Sequence, residues 1–275
     1  MSSSPGSLQV ETTTETRPSA YLRLRWATRD CLLLTWRSLL RYARTPSLIV
    51  FVVVQPIMFV LLFRYVFGGA IKIPSGTYVD YLMPGIVCQT ASFASIGTAV
   101  GLSEDLASGF IERLRSLPAA RSALLIGRLA SDLIRNCVTV ILMIAIGYAV
   151  GFRFHNGALA ALAMMALAVL FGLAIQSVAA WIGLTVHDTE SVQGFGFIWL
   201  FPLTFASSAF VPVSEMPGWL QAFAKVNPVT LAVDTMRSLA LGGPLATHFL
   251  ETLAWMFGIA IVFVPLAVRS YRRAV

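Results

Sequence analysis

Two Asp-x-x-Arg pairs, Asp132 with Arg135 and Asp234 with Arg237, are the charged constellations in this chain with a spacing that chemistry can use. Three residues apart on a helix, the two members of a pair share one face and can bond to each other. Asp132 also falls inside a stretch that is otherwise apolar. A charge at membrane depth is costly, so it marks either a functional pathway or an ion pair placed early in the span, near the interface. Catalytic chemistry has little else to work with. The chain has no GxxxxGK[ST] loop for nucleotide phosphates, no HExxH and no GxSxG. His155, His187 and His248 are scattered among turns and span ends, and Cys31, Cys88 and Cys137 lack CxxC spacing. Neither set has metal-ligand or disulfide spacing, so the cysteines read as small packing residues and no metal or cofactor is expected on this chain. A carboxylate relay for protons is missing too: the apolar stretches hold only Asp132 and, near an outer end, Glu251.

The elements that must position these residues are six apolar stretches, at 47–67, 82–102, 124–150, 158–186, 192–211 and 247–268. Each is close to the ~20 residues a helix needs to cross ~30 Å of hydrocarbon. The 275 residues are 57% hydrophobic and 12% charged, with a mean hydropathy of +0.78. A soluble domain carries about twice that charged fraction, so lipid is the expected solvent. Arginines are concentrated on alternate connections. Arg17, Arg23, Arg25, Arg29, Arg37, Arg41 and Arg44 precede the first stretch, Arg113, Arg115, Arg121 and Arg128 follow the second, and Arg269, Arg272 and Arg273 follow the last. The other side has Lys72, Arg153, Lys225 and Arg237. The positive-inside rule places both termini and the 102–124 loop in the cytoplasm. The net charge of +7 is accounted for by this asymmetry. No basic face interleaved with aromatics is present, so membrane lipid and not nucleic acid is the expected partner.

Residues 1–20 read as a disordered cytoplasmic tail, rich in Ser and Thr with no apolar core of a signal peptide. Residues 21–275 read as one transmembrane domain. Within it, 21–44 alternates Arg with Leu22, Trp26, Leu33, Trp36 and Leu40, the pattern of an interfacial amphipathic helix, and Thr45-Pro46 breaks it from the first span. Gln55-Pro56 predicts a kink in that span. The second span is rich in small residues (Ala91, Ser92, Ala94, Ser95, Gly97, Ala99, Gly101), which either allow close helix contact or line a pathway.

Two segments carry more specific signals. The inner loop 104–118 holds Glu104, Gly109, Phe110, Glu112, Arg113, Leu114 and Pro118. It continues from a span, turns amphipathic with Phe110, Leu114 and Leu117 on one face, and stops at proline. Such a helix can rest in a groove of a cytoplasmic partner, or lie at the membrane interface. The segment 210–243 holds Pro212, Pro217, Asn227-Pro228 and Gly242-Gly243, with apolar runs too short to span. Two short helices are expected at 219–226 and 230–241, starting with Trp219 and, for the second, with Asn227 as N-cap and Pro228 in the first turn. They form either a hairpin dipping into the membrane from outside or an extracellular loop.

The run from Leu200 through Leu203, Ala206-Ser207, Ala209, Met216-Pro217 and Pro228 to Arg237 resembles the signature region of the ABC-2 permeases, membrane subunits of bacterial ATP-driven exporters. Glu104, Gly109, Glu112-Arg113-Leu114 and Pro118 resemble the coupling loop of that family. The order of elements is similar over nearly the whole chain, and 150–154 is similar to daunorubicin-resistance-type members. Val229 and Leu231 depart from the family pattern. The resemblance implies an all-α integral membrane fold: an interfacial helix, six transmembrane helices and an outer re-entrant helical hairpin. It implies a bacterial plasma-membrane exporter that works with a second permease copy or a paralogue and with a separate ATPase subunit, where ATP and Mg bind. The scarcity of charge in the spans suits an amphipathic drug, antibiotic or lipid-like cargo. Export of polysaccharide or lipid-linked glycan is the alternative within the superfamily. An ion-coupled secondary transporter is the alternative outside it, though it would need midplane ionisable groups or an internal repeat.

Overall fold

Long apolar runs in lipid can satisfy their backbone within one segment by forming helices, and helices are what the described residues form. The computed structural model describes residues 46–68, 77–109, 121–186, 188–244 and 246–274; the tail and the interfacial helix expected over 21–44 lie outside the described residues. The helices are α1 (Pro46–Leu62), α2 (Tyr78–Ala107), α3 (Arg121–Val150), α4 (Gly157–Thr185), α5 (Thr189–Phe205), α6 (Gly218–Val226), α7 (Pro228–Leu241) and α8 (Ala246–Ala274). Pro46 opens α1, and the helix carries Pro56 inside it. It runs on into a π-helical turn, Phe63–Phe67.

Four described helices are long and apolar enough to cross a membrane, judged by length and composition: α2, α3 from Leu129, α4, and α8 over His248–Arg273. α1 and α5 have 17 residues each. α5 therefore covers only part of the apolar window 192–211. It starts at Thr189 and ends at Phe205, and the remaining residues turn out of helical geometry. The second span is longer than its window on both sides, because Thr77 caps α2 by accepting from the Asp80 amide.

α2 is the axis of the fold. It packs most extensively against α4, and also against α5, α3, α7 and α1. The small residues explain the close approach. A Cβ on Gly183 of α4 would collide with the Ala99 carbonyl, and one on Gly172 would collide with the Asn136 amide and press on Ala91. Packing is thus a use the structure gives to this small-residue stripe. The core holds Leu82, Met83, Ile86, Phe152, Phe171, Ile175 and Met236, all essentially inaccessible. At the other end of the bundle a smaller cluster joins Leu102, Ala180, Leu184, Ala267 and Tyr271. Outward-facing positions on α1, α3, α5 and α8 (Met58, Ile141, Ile198 and Ile261 among them) are exposed and apolar.

Candidate functional site

The end of α5 sets the problem that the hairpin end of the bundle solves. A helix leaves its last carbonyls without partners, and α5 stops at Phe205 inside the protein instead of at a solvated surface. Several of the freed carbonyls find side-chain donors. Asn227 donates from Nδ2 to Leu203 O at 2.7 Å and to Ala206 O at 3.0 Å. Ser207 Oγ donates to Thr204 O. Tyr81 Oη donates to Ser208 O at 3.0 Å, and Tyr78 Oη to Phe210 O at 3.1 Å. Arg237 reaches Ser208 O through Nη2 at 3.0 Å. The Ala209 carbonyl lies against Gly85, where a side chain would collide with it.

Asn227 and Arg237 each do several jobs. While its amide nitrogen serves α5, Asn227 Oδ1 accepts from the Val229 amide at 2.9 Å and caps α7. Pro228 at the first helical position needs no N–H there. Arg237 binds Asp234 at 2.6 Å, donates to Tyr81 O from Nε and Nη2, and stacks 3.6 Å from the centroid of the Tyr81 ring. Ser208 Oγ donates to Asp234 Oδ1 at 2.8 Å, and the Ser208 amide to Thr230 Oγ1. The planar guanidinium fits this task, since it can stack on a ring and fork to several oxygens at once. Four aromatic rings fill the neighbouring space: Phe63 and Phe205 flank Phe210 at 4.5 and 5.1 Å between centroids, and Phe59 leans on all three.

The expected hairpin helices are both present, as α6 and α7 joined at Asn227. Pro212 is buried, whereas Pro217 and Trp219 are exposed. Pro217 precedes α6, and Trp219 lies on its exposed face with Phe223 and Val226. The sequence reading missed Tyr78, Tyr81, Gly85 and Ser208. The Pro84-Gly85 step inside a helix is the one local signal of a close backbone approach there.

The second pair lies toward the other end of α2. Asp132 is 0% exposed, accepts from Thr98 Oγ1 at 2.9 Å and binds Arg135 at 3.2 Å. Arg135 Nη2 also donates to Ala94 O and Thr98 Oγ1. The pair is therefore buried between α3 and α2. Asn136, one turn on, donates to Val169 O of α4 at 3.1 Å.

The inner loop is only partly described. α2 ends at Ala107, and Gly109 has φ +63°, a left-handed conformation that glycine adopts at helix ends. The expectation of a helix running on from Glu104 is corrected there: the helix breaks at Ser108-Gly109. Glu104 is half-buried, and Phe110, Glu112, Arg113, Leu114 and Pro118 lie outside the described residues. Nearby, Asp188 caps α5 by accepting from the Ser191 amide at 2.8 Å. The hydrogen bonds from Ser191 hold the Asp188 carboxyl below the usual carboxylate range.

The model of the family described as ABC-2 type transporter matches residues 29–241 of this chain. The daunorubicin resistance ABC transporter permease protein DrrB1 of Streptomyces coeruleorubidus is 32% identical over 280 residues, covering 99% of this chain and 98% of the relative. The probable doxorubicin resistance ABC transporter permease protein DrrC of Mycobacterium tuberculosis is 32% identical over 272 residues, covering 98% and 97%. A putative transport permease, ycf38, of Pyropia yezoensis is 26% identical over 210 residues, covering 74% and 71%.

Proposed function

The chain belongs to the ABC-2 type transporter family, and on that premise we propose that it is the membrane-spanning permease subunit of an ATP-driven exporter. Its cargo is an amphipathic drug, antibiotic or lipid-like compound leaving the cytoplasm or inner leaflet. The observation that carries this reading is similarity along almost the entire chain to permeases named for drug resistance. The capped end of α5 supports it. A backbone as irregular as 206–212 can lie at membrane depth when protein groups satisfy it, and here the carbonyls of Ala206, Ser208 and Phe210 have side-chain donors.

In this reading α1 with its π-helical turn and α5 are two further crossings, making six. α5 has 17 residues and is ~25 Å long, short of the ~30 Å hydrocarbon core. The α6–α7 hairpin fills the difference from the outside and closes the pathway. Both termini face the cytoplasm of a bacterium. The segment 104–118 contacts a separate ATPase subunit that binds ATP and Mg, and a second permease, identical or paralogous, completes the assembly. Closure of the ATPase subunits pushes on this loop and shifts the helix bundle between inward-open and outward-open populations.

Co-expression with a candidate ABC ATPase subunit tests the assignment. The chain alone should hydrolyse no ATP, and the pair should co-purify and hydrolyse it. Leu114→Asp should insert normally yet lose the ATPase, because an unpaired charge in an apolar contact costs several kcal/mol. Hydrolysis by the isolated chain, or a Leu114→Asp complex that assembles and transports fully, would refute the division of labour.

A further inference from the structure

A small cleft opens between α1 and α2, lined by Gln55, Pro56, Phe59, Gln89, Phe93 and Ala94. Gln89 is 4% exposed, and its Nε2 donates to no protein group among the described residues. A buried amide nitrogen left without an acceptor is costly; on α2 Ser95 Oγ is also without a partner, whereas three neighbouring hydroxyls avoid that cost. Thr90 and Ser92 bond back to carbonyls of their own helix, and Thr98 bonds to Asp132. Gln89 instead lines the cleft, with Gln55 across from it.

The walls are aromatic and connect to the middle and the C-terminal end of α5. Phe59 reaches Phe205 and Phe210 at the carbonyl-capped turn. Phe93 meets Phe197, further down α5, at 5.8 Å between centroids. The cleft therefore joins flat apolar walls, a hydrogen-bond donor short of an acceptor, and aromatic contact with α5 and the carbonyl-capped turn that follows it. Among the described residues no charged side chain lines it, which disfavours an ionic group.

We propose that this cleft is a cargo subsite that takes the acceptor edge of the uncharged, planar aromatic part of a cargo molecule, with the Gln89 amide donating to a carbonyl oxygen and Phe59 and Phe93 against the ring faces. The proposal rests on the exporter reading and adds where, and by which group, the cargo is held. Ester carbonyls of membrane lipid offer the same acceptor, so the experiment separates the two sources.

The test uses the permease–ATPase complex in nanodiscs with daunorubicin, a fluorescent aromatic molecule with carbonyls at its edge, as probe. Gln89→Leu removes the donor at similar volume, and Gln89→Asn retracts it; either variant that assembles gives the reading. Daunorubicin affinity should fall about three- to ten-fold, the worth of one neutral hydrogen bond, in ester-linked and ether-linked lipid alike. Unchanged affinity in an assembled variant, with the wild type still transporting daunorubicin, would overturn the subsite and leave the exporter reading standing. Wild-type affinity that rises on replacing ester with ether lipid would overturn it as well, by showing that lipid carbonyls occupy the cleft. A wild-type complex that neither binds nor transports daunorubicin or any other amphipathic aromatic would bring down the exporter reading and this subsite together.

Discussion

Asp132–Arg135 and Asp234–Arg237 share a spacing, and both arginines donate to backbone carbonyls of α2, at Ala94 and Tyr81, points about 20 Å apart along that helix. They differ in what else depends on them. The α3 pair joins two regular helices whose backbones are already satisfied, and Thr98 would still donate to Asp132 if the arginine were removed. The α7 pair carries the irregular segment after α5: Arg237 holds the Ser208 carbonyl, Asp234 accepts from the Ser208 hydroxyl, and the Tyr81 ring stacks on the guanidinium. Two ion pairs with the same local sequence pattern therefore have different roles. One fastens a helix to α2, and the other substitutes for secondary structure.

Substitutions at the two pairs should separate them. Arg237→Ala is expected to cost most, ~3–5 kcal/mol, because it leaves a part-buried carboxylate without its counterion and takes away one of the two donors to the Ser208 carbonyl. Adding Asp234→Ala should recover only a minor part, since Ser208 O and the Tyr81 face remain without the guanidinium. Arg135→Ala should cost less, ~2–3 kcal/mol, and adding Asp132→Ala should recover most of it. Thermal unfolding of the four variants in detergent measures both cycles. Equal recovery in the two would show that the hairpin end does not depend on Arg237 for its backbone.

Glycine substitutions probe the same contrast at smaller scale. Gly85→Ala drives a methyl into the Ala209 carbonyl, and Gly183→Ala drives one into the Ala99 carbonyl. Each should cost ~1–3 kcal/mol as overpacking. Gly85→Ala should also loosen the 206–210 turn, read as faster proteolysis there, whereas Gly183→Ala should weaken α2–α4 packing and leave that turn intact. If proteolysis reports the reverse, the two ends have been assigned the wrong dependencies.

The smallest effect is expected at the α5 N-cap. The folded-state pKa of Asp188 is depressed, so its contribution is fully present above the unfolded carboxylate value of ~3.9 and is lost as pH falls through the depressed one. Asp188→Ala should therefore lower stability modestly near neutrality and remove that acid-side loss, so that the two profiles converge at low pH. An acid-unfolding profile identical in wild type and variant would show that the cap carries no pH dependence.

Much of the hairpin end was legible in the sequence, because its signals are local. Asn227-Pro228 is a cap followed by a residue that needs no N–H, and Asp234 and Arg237 lie one helical turn apart. Tyr81 was not legible, since its partner at Ser208 is 127 residues away and nothing near Tyr81 reports it. The end of α5 was misread for a different reason. Residues 206–211 are small and apolar, so a hydropathy window runs through them, but apolarity does not report whether carbonyls stay within a helix. The burial of Asp132 was not legible either, because it comes from α2 packing across it.

The central claim is tested most directly by daunorubicin uptake into inverted membrane vesicles containing the chain with and without its ATPase subunit. Uptake should require both subunits and ATP, and should persist when ionophores collapse the proton and sodium gradients. Uptake by the chain alone, driven by an imposed ion gradient, would contradict the account and identify an ion-coupled transporter instead.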